Sequence, residues 1–428
     1  MLLTSAPRGT FDVLPKEVGW WHHIRGAADQ TCAQYGYEEI ITPAFEHTEL
    51  FVRTTGETSD IVMKEMYTFQ DRSERSLTLR PEGTPGAGRA YLEHGLLREK
   101  SPTRLYYFGP MFRYERPQAG RQRQFNQFGV EVFGAESYLA DAEVIALGID
   151  FLSSLGLKSL EVQVNSIGCD ECRPRYRSEL VSYFQTREEG LCEDCRRRLE
   201  KNPLRILDCR NEQCRAVSRG APLTLDYLCS SCSAHFEALC SVLRSEGISF
   251  EVNTSLVRGL DYYTRTVFEF IYSGLGSQNA VLAGGRYDGL ISSLGGDPAP
   301  AVGWALGIER LVMTLEKEGA MLPKSTAPAV YVIAASDTAA QGFAVARQLR
   351  HEGCRAEMDL LGRGFKAQMK QADRAGAQWA VFVGGDEIAK HRATVRDMRS
   401  RVQQEVEFDR VAEFIKSNGA VRSGKDGR

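Results

Sequence analysis

The run Arg104-Leu105-Tyr106-Tyr107-Phe108-Gly109-Pro110-Met111-Phe112-Arg113, answered by Phe125-Asn126-Gln127-Phe128-Gly129-Val130-Glu131-Val132-Phe133, decides the fold. Both segments are rich in aromatic and aliphatic residues. The connection between them, Arg116-Pro117-Gln118-Ala119-Gly120-Arg121-Gln122-Arg123, is polar and arginine-rich. This pattern predicts two long antiparallel strands with an extended tip. Side chains alternate faces along a strand, so Arg113 and Glu115 share one face of the outgoing strand. Gln127 and Glu131 share a face of the returning strand, with Phe128, Val130 and Val132 on the other. With the faces aligned, one sheet surface bears an arginine, an amide and two carboxylates. The plain alternative is a solvated face with cross-strand ion pairs. Arg116, Arg121 and Arg123 at the tip are forked donors suited to phosphate oxygens, or else parts of an exposed loop.

Helix and strand signals surround the hairpin. Trp20, Ile24, Ala27 and Ala28 recur at helical spacing, predicting a helix from Lys16 to Tyr35, and Tyr37 to Pro43 reads as a strand. Asp141 to Leu155 is helical in pattern, and strands resume at Phe250–Asn253, Thr264–Tyr272 and Ala280–Leu282. A Gly-rich strand runs into a helix between Gly303 and Leu315. After the linker Pro323-Lys324-Ser325-Thr326-Ala327-Pro328, a β-α-β-α-β alternation (329–335, 338–351, 355–359, 365–375, 379–383) predicts a separate small α/β domain. Arg258-Gly259-Leu260-Asp261-Tyr262-Tyr263-Thr264 gathers a guanidinium and two tyrosines. Ala283-Gly284-Gly285-Arg286-Tyr287-Asp288-Gly289 is a Gly-rich loop where backbone can approach a ligand, without the spacing of a Walker loop or dinucleotide fingerprint.

Composition bounds the class. The chain has 428 residues, 43% hydrophobic and 25% charged, which excludes collagen-like, coiled-coil and disordered classes. The length allows roughly three domains, or two with an insertion. No apolar run approaches the ~18 residues of a membrane helix. The N-terminus lacks the pattern of a secretion signal, so a cytoplasmic location is expected. Residues 326–428 hold 17 Lys+Arg against 13 Asp+Glu, a net of +4 in a chain whose total is −3. That balance suits a polyanion partner at this end, or is chance asymmetry.

Nine of the eleven cysteines fall between Cys169 and Cys240. Cys169/Cys172, Cys192/Cys195 and Cys229/Cys232 are Cys-x-x-Cys pairs, and Cys209 and Cys214 lie between the second and third. Such pairs point to thiolate-bound zinc before disulfides, and spacing alone does not assign ligands to sites. His235 reads as a surface or helix residue, not a ligand.

Thr78-Leu79-Arg80-Pro81-Glu82-Gly83-Thr84, the hairpin from Phe112 to Glu131, the Arg258 and Gly284 motifs, and Gly303-Trp304-Ala305-Leu306-Gly307-Ile308-Glu309-Arg310 together resemble the class II aminoacyl-tRNA synthetases, and within them the histidyl-tRNA synthetases. The likeness runs in order from Arg8-Gly9-Thr10-Phe11-Asp12 to the C-terminal domain. It implies an α+β fold, with a six- to seven-stranded antiparallel sheet flanked by helices. It implies a catalytic domain over 1–325, with a helical Cys-rich insertion at about 168–245 that contacts tRNA; family membership does not itself require a metal there, and structural zinc at the Cys169–Cys232 cluster is an open expectation. It further implies an α/β anticodon-binding domain over 326–428, and a homodimer with the helix before Pro43 at its interface.

The implied reaction joins ATP, with Mg2+, and L-histidine into histidyl-adenylate and pyrophosphate. The acyl group then passes to the 3′-terminal adenosine of histidine tRNA. Negative charge grows at the attacked phosphorus, and fixed cations aimed there stabilise it. By the resemblance, Arg113 holds the α-phosphate and Arg258 bridges it to the histidine carboxylate; these two are the catalytic candidates. Glu115, Arg121 and Arg310 join Arg113 in binding ATP. Glu82 receives the α-amino group. Thr84, Gln127, Tyr262 and Tyr263 line the amino-acid pocket, and Glu131 accepts from an imidazole N–H. Asn126 faces away from Gln127 and is not placed in the site. In the C-terminal domain, Arg363 and Lys366 are the first candidates for the anticodon. The competing function is the histidine-binding regulatory subunit of ATP phosphoribosyltransferase. Arg113, Arg121, Arg310 and the C-terminal domain speak against it, as the Arg258 and Gly284 motifs do against a synthetase for another amino acid.

Overall fold

The computed structural model describes residues 4–56, 59–118, 120–209, 211–276, 279–322 and 329–420. The expected linker and Ala119 of the hairpin tip lie outside them. Contacts divide the chain into two units, 1–322 and 323–428.

The strands of the first unit are β1 (Glu38–Glu39), β2 (Phe45–His47), β3 (Tyr67–Gln70), β4 (Ser76–Leu79), β5 (Thr103–Phe112), β6 (Gln124–Phe133), β7 (Glu161–Ser166), β8 (Glu251–Val252), β9 (Thr264–Ile271), β10 (Ala280–Arg286) and β11 (Ala301–Gly307). Its helices are α1 (Val18–Gln34), α2 (Thr48–Thr55), α3 (Thr84–Glu93), α4 (Tyr138–Ser154), α5 (Cys172–Gln185), α6 (Glu193–Lys201), α7 (Glu212–Ser218), α8 (Ser230–Ser245), α9 (Leu290–Ser293) and α10 (Ile308–Lys317).

The predicted hairpin is present as β5 and β6, paired from Thr103↔Phe133 to Phe112↔Gln124. It sits in a central sheet of order β1-β5-β6-β11-β10-β9-β7-β8. The sheet has eight strands, not six or seven, because the two-residue strands β1 and β8 add parallel edges. The strand expected from Tyr37 to Pro43 shrinks to β1. After Ile40 donates to the Tyr106 carbonyl the chain leaves the ladder, and the Thr42 carbonyl turns to accept from Arg80 at 2.8 Å. β2, β4 and β3 form a small antiparallel sheet beside it.

Phe128, Val130 and Val132 point to one face of the central sheet, as alternation requires. There they pack with Phe151 of α4, Trp304, Phe268 and Phe270 in the main core, with α1 and α10 against the same cluster. Each such side chain stabilises the unit by about 1.5–3 kcal/mol through burial. The opposite face carries a second cluster that includes Ala87 and Tyr91 of α3, Tyr262, Tyr263 and Tyr287. The candidate site lies on this face.

The cysteine-rich segment is helical, with its own small core around Tyr176, Leu180, Phe184, Leu199 and Ile206. Its last helix behaves differently. Phe236, Leu239 and Leu243 of α8 join the main core against α4, so structurally the insertion stops before α8. His235 is a helix residue of α8, as one of its two readings has it, and is buried instead of at the surface, with Nε2 3.4 Å from Asp141.

In the second unit, β12 (Ala329–Ala334), α11 (Ala339–His351), β13 (Arg355–Met358), α12 (Phe365–Arg374) and β14 (Trp379–Val383) follow the predicted alternation. α13 (Gly385–Ala389), β15 (Arg392–Asp397), β16 (Gln403–Glu407) and α14 (Val411–Ala420) complete it. The sheet order is β13-β12-β14-β15-β16, with β15 and β16 antiparallel.

Candidate active site

The corner between β4 and α3 delivers three residues with separate tasks. Arg80 is buried and donates to the Pro110 carbonyl at 2.8 Å, bracing the hairpin. Glu82 is buried; it accepts from the Thr55 hydroxyl at 3.1 Å and from the Tyr262 hydroxyl at 3.2 Å. Thr84 donates to Glu131 at 2.7 Å. Burial raises the Glu82 carboxyl above its ordinary range, opposed by the positive charges of Arg113 and Arg258. Glu82 thus lies within the field of two guanidiniums that are far apart in the chain.

Gln127 and Glu131 share the site face of β6, and both are buried. Among the described residues, no donor reaches Gln127 Oε1 or Glu131 Oε2 in good hydrogen-bonding geometry, and the buried Tyr107 hydroxyl lies near Glu131. Burial drives the Glu131 carboxyl well above the carboxylate range, against the hydrogen bond from Thr84. A side chain starting at Gly303 would come within 2.5 Å of both the Tyr287 hydroxyl and Glu131 Oε2. Glycine on β11 therefore leaves the room into which these two polar ends converge.

Arg258 pairs with Glu269 of β9, and its guanidinium lies 5.7 Å from the Tyr263 ring centre. Burial would lower its pKa; Glu269, Tyr263 and Tyr262 outweigh that and hold it above the ordinary value. The rings of Tyr262 and Tyr263 are 4.7 Å apart, and Tyr262 meets Tyr287 edge-on at 5.4 Å.

β5 ends at Phe112, so Arg113 and Glu115 lie just past the strand instead of on it. Arg113 donates to the Pro81 carbonyl at 2.8 Å, which ties it to the Glu82 corner. Glu115 accepts from Arg121 at 2.8 Å and lies 4.0 Å from Arg113. Arg310 donates to the Ala280 carbonyl at 3.0 Å, and its Nε is 3.7 Å from where a side chain would begin on Gly120. The hairpin tip therefore links Arg113, Glu115, Arg121 and Arg310. Asn126 is turned away, holding Glu309 through its backbone and side-chain N–H groups.

The Ala283–Gly289 segment is not a loop. Its first four residues are the last four of β10, and Arg286 is wholly buried against Asp141 at 3.1 Å through Nε and against the Ala135 carbonyl. Of this motif, Tyr287 packs with Tyr262 and Tyr263, and Gly285 lies against the Tyr263 ring, where a side chain would come within 2.9 Å of it. The sequence reading missed Thr55, Tyr287 and Glu269. Glu269 had a usable signal: it is the one charged residue in the strand run Thr266-Val267-Phe268-Glu269-Phe270-Ile271. Thr55 had none.

A family model described as histidyl-tRNA synthetase matches residues 9–311, and one described as anticodon binding domain matches residues 329–418. This chain belongs to the histidyl-tRNA synthetase family. The histidine–tRNA ligase of Desulforamulus reducens is 50% identical over 417 residues, covering 97% of this chain and 100% of that protein. That of Halothermothrix orenii is 51% identical over 403 residues, covering 94% and 96%. The crystal structure of apo S. aureus histidyl-tRNA synthetase, 37% identical, superposes with a TM-score of 0.82 over 97% of this chain and all of that one. As in an aminoacyl-tRNA synthetase, the catalytic body and an anticodon-binding domain follow one another in a single chain. No helix among the described residues is long and apolar enough to cross a membrane.

Proposed function

We propose that this chain, an enzyme of translation, charges histidine tRNA with the cleft around Glu82, Glu131, Arg113 and Arg258. A histidine carboxylate oxygen attacks the α-phosphorus of ATP, the bond to the β-phosphate oxygen breaks, and pyrophosphate leaves. A hydroxyl of the terminal ribose of tRNA then attacks the acyl carbon, and AMP leaves. ATP enters as its magnesium complex, a substrate in which the ion is held chiefly by phosphate oxygens.

The observation that supports this most is the pair of unsatisfied acceptors, Gln127 Oε1 and Glu131 Oε2, buried on one strand face. An orphaned buried acceptor is costly, and a ligand N–H removes that cost. An imidazole supplies such a donor. Its own ring nitrogens explain discrimination of roughly 10⁴-fold against side chains that cannot bond. Glu82, with Thr55 and Tyr262 behind it, receives the α-ammonium. Tyr263 and Thr84 complete the pocket.

Arg113 and Arg258 act from two sides on the reacting phosphorus. Both guanidiniums are held in place before substrate arrives, Arg113 by the Pro81 carbonyl and Arg258 by Glu269. Charges that need no reorganisation stabilise a transition state best. Glu115, Arg121 and Arg310 bind the nucleotide around the hairpin tip.

The second unit reads the anticodon. Lys366 and Arg363 lie at the start of α12, and Phe365 between them is 60% exposed and stacked on Phe382 at 5.3 Å. An exposed ring beside cationic side chains suits a splayed base. The active form is a cytoplasmic homodimer. Ile41, Phe45, Met63 and Phe69 form the exposed apolar residues that support it. They follow α1, whose Trp20, Ile24 and Ala28 are already covered by the core.

Pyrophosphate exchange into ATP, assayed with each amino acid singly, tests the function. Exchange with histidine alone is expected, followed by histidine transfer to tRNA. Exchange with another amino acid, or histidine binding without exchange, would overturn it.

A further inference from the structure

Eight of the cysteines fall into two groups, Cys169/Cys172/Cys229/Cys232 and Cys192/Cys195/Cys209/Cys214, with all four sulfurs of each group within 4.8 Å of one another. Measured separations are 3.7 Å for Cys169–Cys172, 3.9 Å for Cys169–Cys229 and 3.9 Å for Cys192–Cys209. A tetrahedron with zinc–sulfur bonds of about 2.3 Å has edges of about 3.8 Å. A disulfide needs about 2.05 Å, and all eleven cysteines are free. The groups also share a detail. In the first, the Cys229 N–H donates to Cys172 Sγ at 3.0 Å; in the second, the Cys192 N–H donates to Cys214 Sγ at 3.1 Å. A backbone donor on a ligand sulfur is the support a metal-bound thiolate takes.

The first group stands at the foot of the insertion, beside the histidine pocket. Gly168 adopts φ +69°, and a side chain there would meet Cys172 Cβ at 2.6 Å. The Gly168 carbonyl accepts from the Arg265 N–H at 2.8 Å, and the Ile167 N–H donates to the Arg265 carbonyl at 2.8 Å. Arg173, next to Cys172, donates to the Tyr263 carbonyl. Both sides of the Cys169–Cys172 turn are thus tied to the backbone that carries Tyr262 and Tyr263.

We propose that the chain binds two zinc ions, one in each four-cysteine group, and that the ion at Cys169/Cys172/Cys229/Cys232 clamps the Tyr262–Tyr263 segment in its histidine-binding position. The cysteines of this group are positioning residues. The second ion closes the outer part of the insertion, joining α6 to α7. Each ion replaces the protons of the thiols it takes. The clamp rests on the assignment of Tyr262 and Tyr263 to the histidine pocket; the metal sites do not.

The test is elemental analysis of the full-length protein purified without added metal, paired with calorimetric titration of histidine and ATP. Two zinc per chain are expected. Cys192→Ser/Cys195→Ser and Cys229→Ser/Cys232→Ser each lose one. The second variant also binds histidine about ten-fold more weakly with ATP affinity kept, the scale of one lost positioned hydrogen bond. If that variant does not fold, zinc is withdrawn stepwise from the wild-type protein by a chromogenic chelator, and histidine affinity is read against zinc released. Absence of stoichiometric zinc with no uptake of cobalt into a tetrahedral thiolate spectrum, iron in its place, or fewer than eleven thiols titrated after unfolding the protein in excess chelator overturns the sites. Unchanged histidine affinity after loss of the first ion overturns the clamp. Retained histidine binding in Glu131→Gln would instead strike at the pocket itself.

Discussion

The Thr84 hydroxyl donates to Oε1 of Glu131 across 2.7 Å, at a carboxyl with no exposure to solvent. One oxygen of Glu131 is thereby fixed, and the other is left for a ligand. The arrangement is unfavourable without substrate, because burial opposes ionisation of Glu131. On the proposed function, stability is given up here for recognition of histidine.

Replacing Glu131 with Gln weakens histidine binding by about 10–100-fold, the scale of a hydrogen bond to a charged group, and leaves ATP binding unchanged. Calorimetry checks both. The same variant melts about 1.5 °C higher than the parent near neutral pH without ligand, for a gain of about 1 kcal/mol in a unit of this size. The sign follows from the raised carboxyl. The folded state holds the proton more tightly than the unfolded chain, so stability is full below the ordinary carboxyl pKa and is lost as pH rises through the raised one. The difference between variant and parent therefore closes in acid.

Asp141→Asn destabilises the first unit by about 3 kcal/mol, the low end for breaking a buried pair, because the buried Arg286 then keeps only the partly exposed Asp288 as an anionic partner. Both side chains have no exposure, and the pair ties β10 to α4. Urea denaturation measures the loss. Burial opposes ionisation of Asp141, but Arg286 and His235 overcome it and lower the carboxyl pKa. The parent keeps this contribution above the ordinary carboxyl pKa and loses it as pH falls through the lowered one.

Phe365→Ala raises the KM for tRNA by about 5–100-fold, the range of one lost base stack. Pyrophosphate exchange, which needs no tRNA, stays at the parental rate. Steady-state charging with tRNA varied measures the first, and exchange measures the second.

The hairpin was legible because its two strands are long, aromatic and separated by a polar tip, and Glu131 because it is the one charge among Phe128, Val130, Val132 and Phe133. Glu82 could be reached only through the resemblance of its motif. Its partners Thr55 and Tyr262 come from α2 and from a segment 180 residues away, and no local pattern links them. The grouping of cysteines was illegible for the same reason: three identical Cys-x-x-Cys spacings do not say which turns meet. Arg286 misled because a Gly-Gly-Arg run reads as a loop. Its glycines instead let β10 lie against β11 and β9, where a side chain at Gly284 would strike the Gly303 carbonyl at 2.3 Å.

The central claim is that Arg258 and Arg113 stabilise charge at one phosphorus beside a histidine pocket. Single-turnover kinetics of Arg258→His tests it most directly. Adenylate formation should slow by about 10²–10³-fold, as when one pre-set donor to a transition state is removed, with transfer from preformed adenylate to tRNA much less affected. Adenylate formation at the parental rate, with transfer alone impaired, would contradict the account.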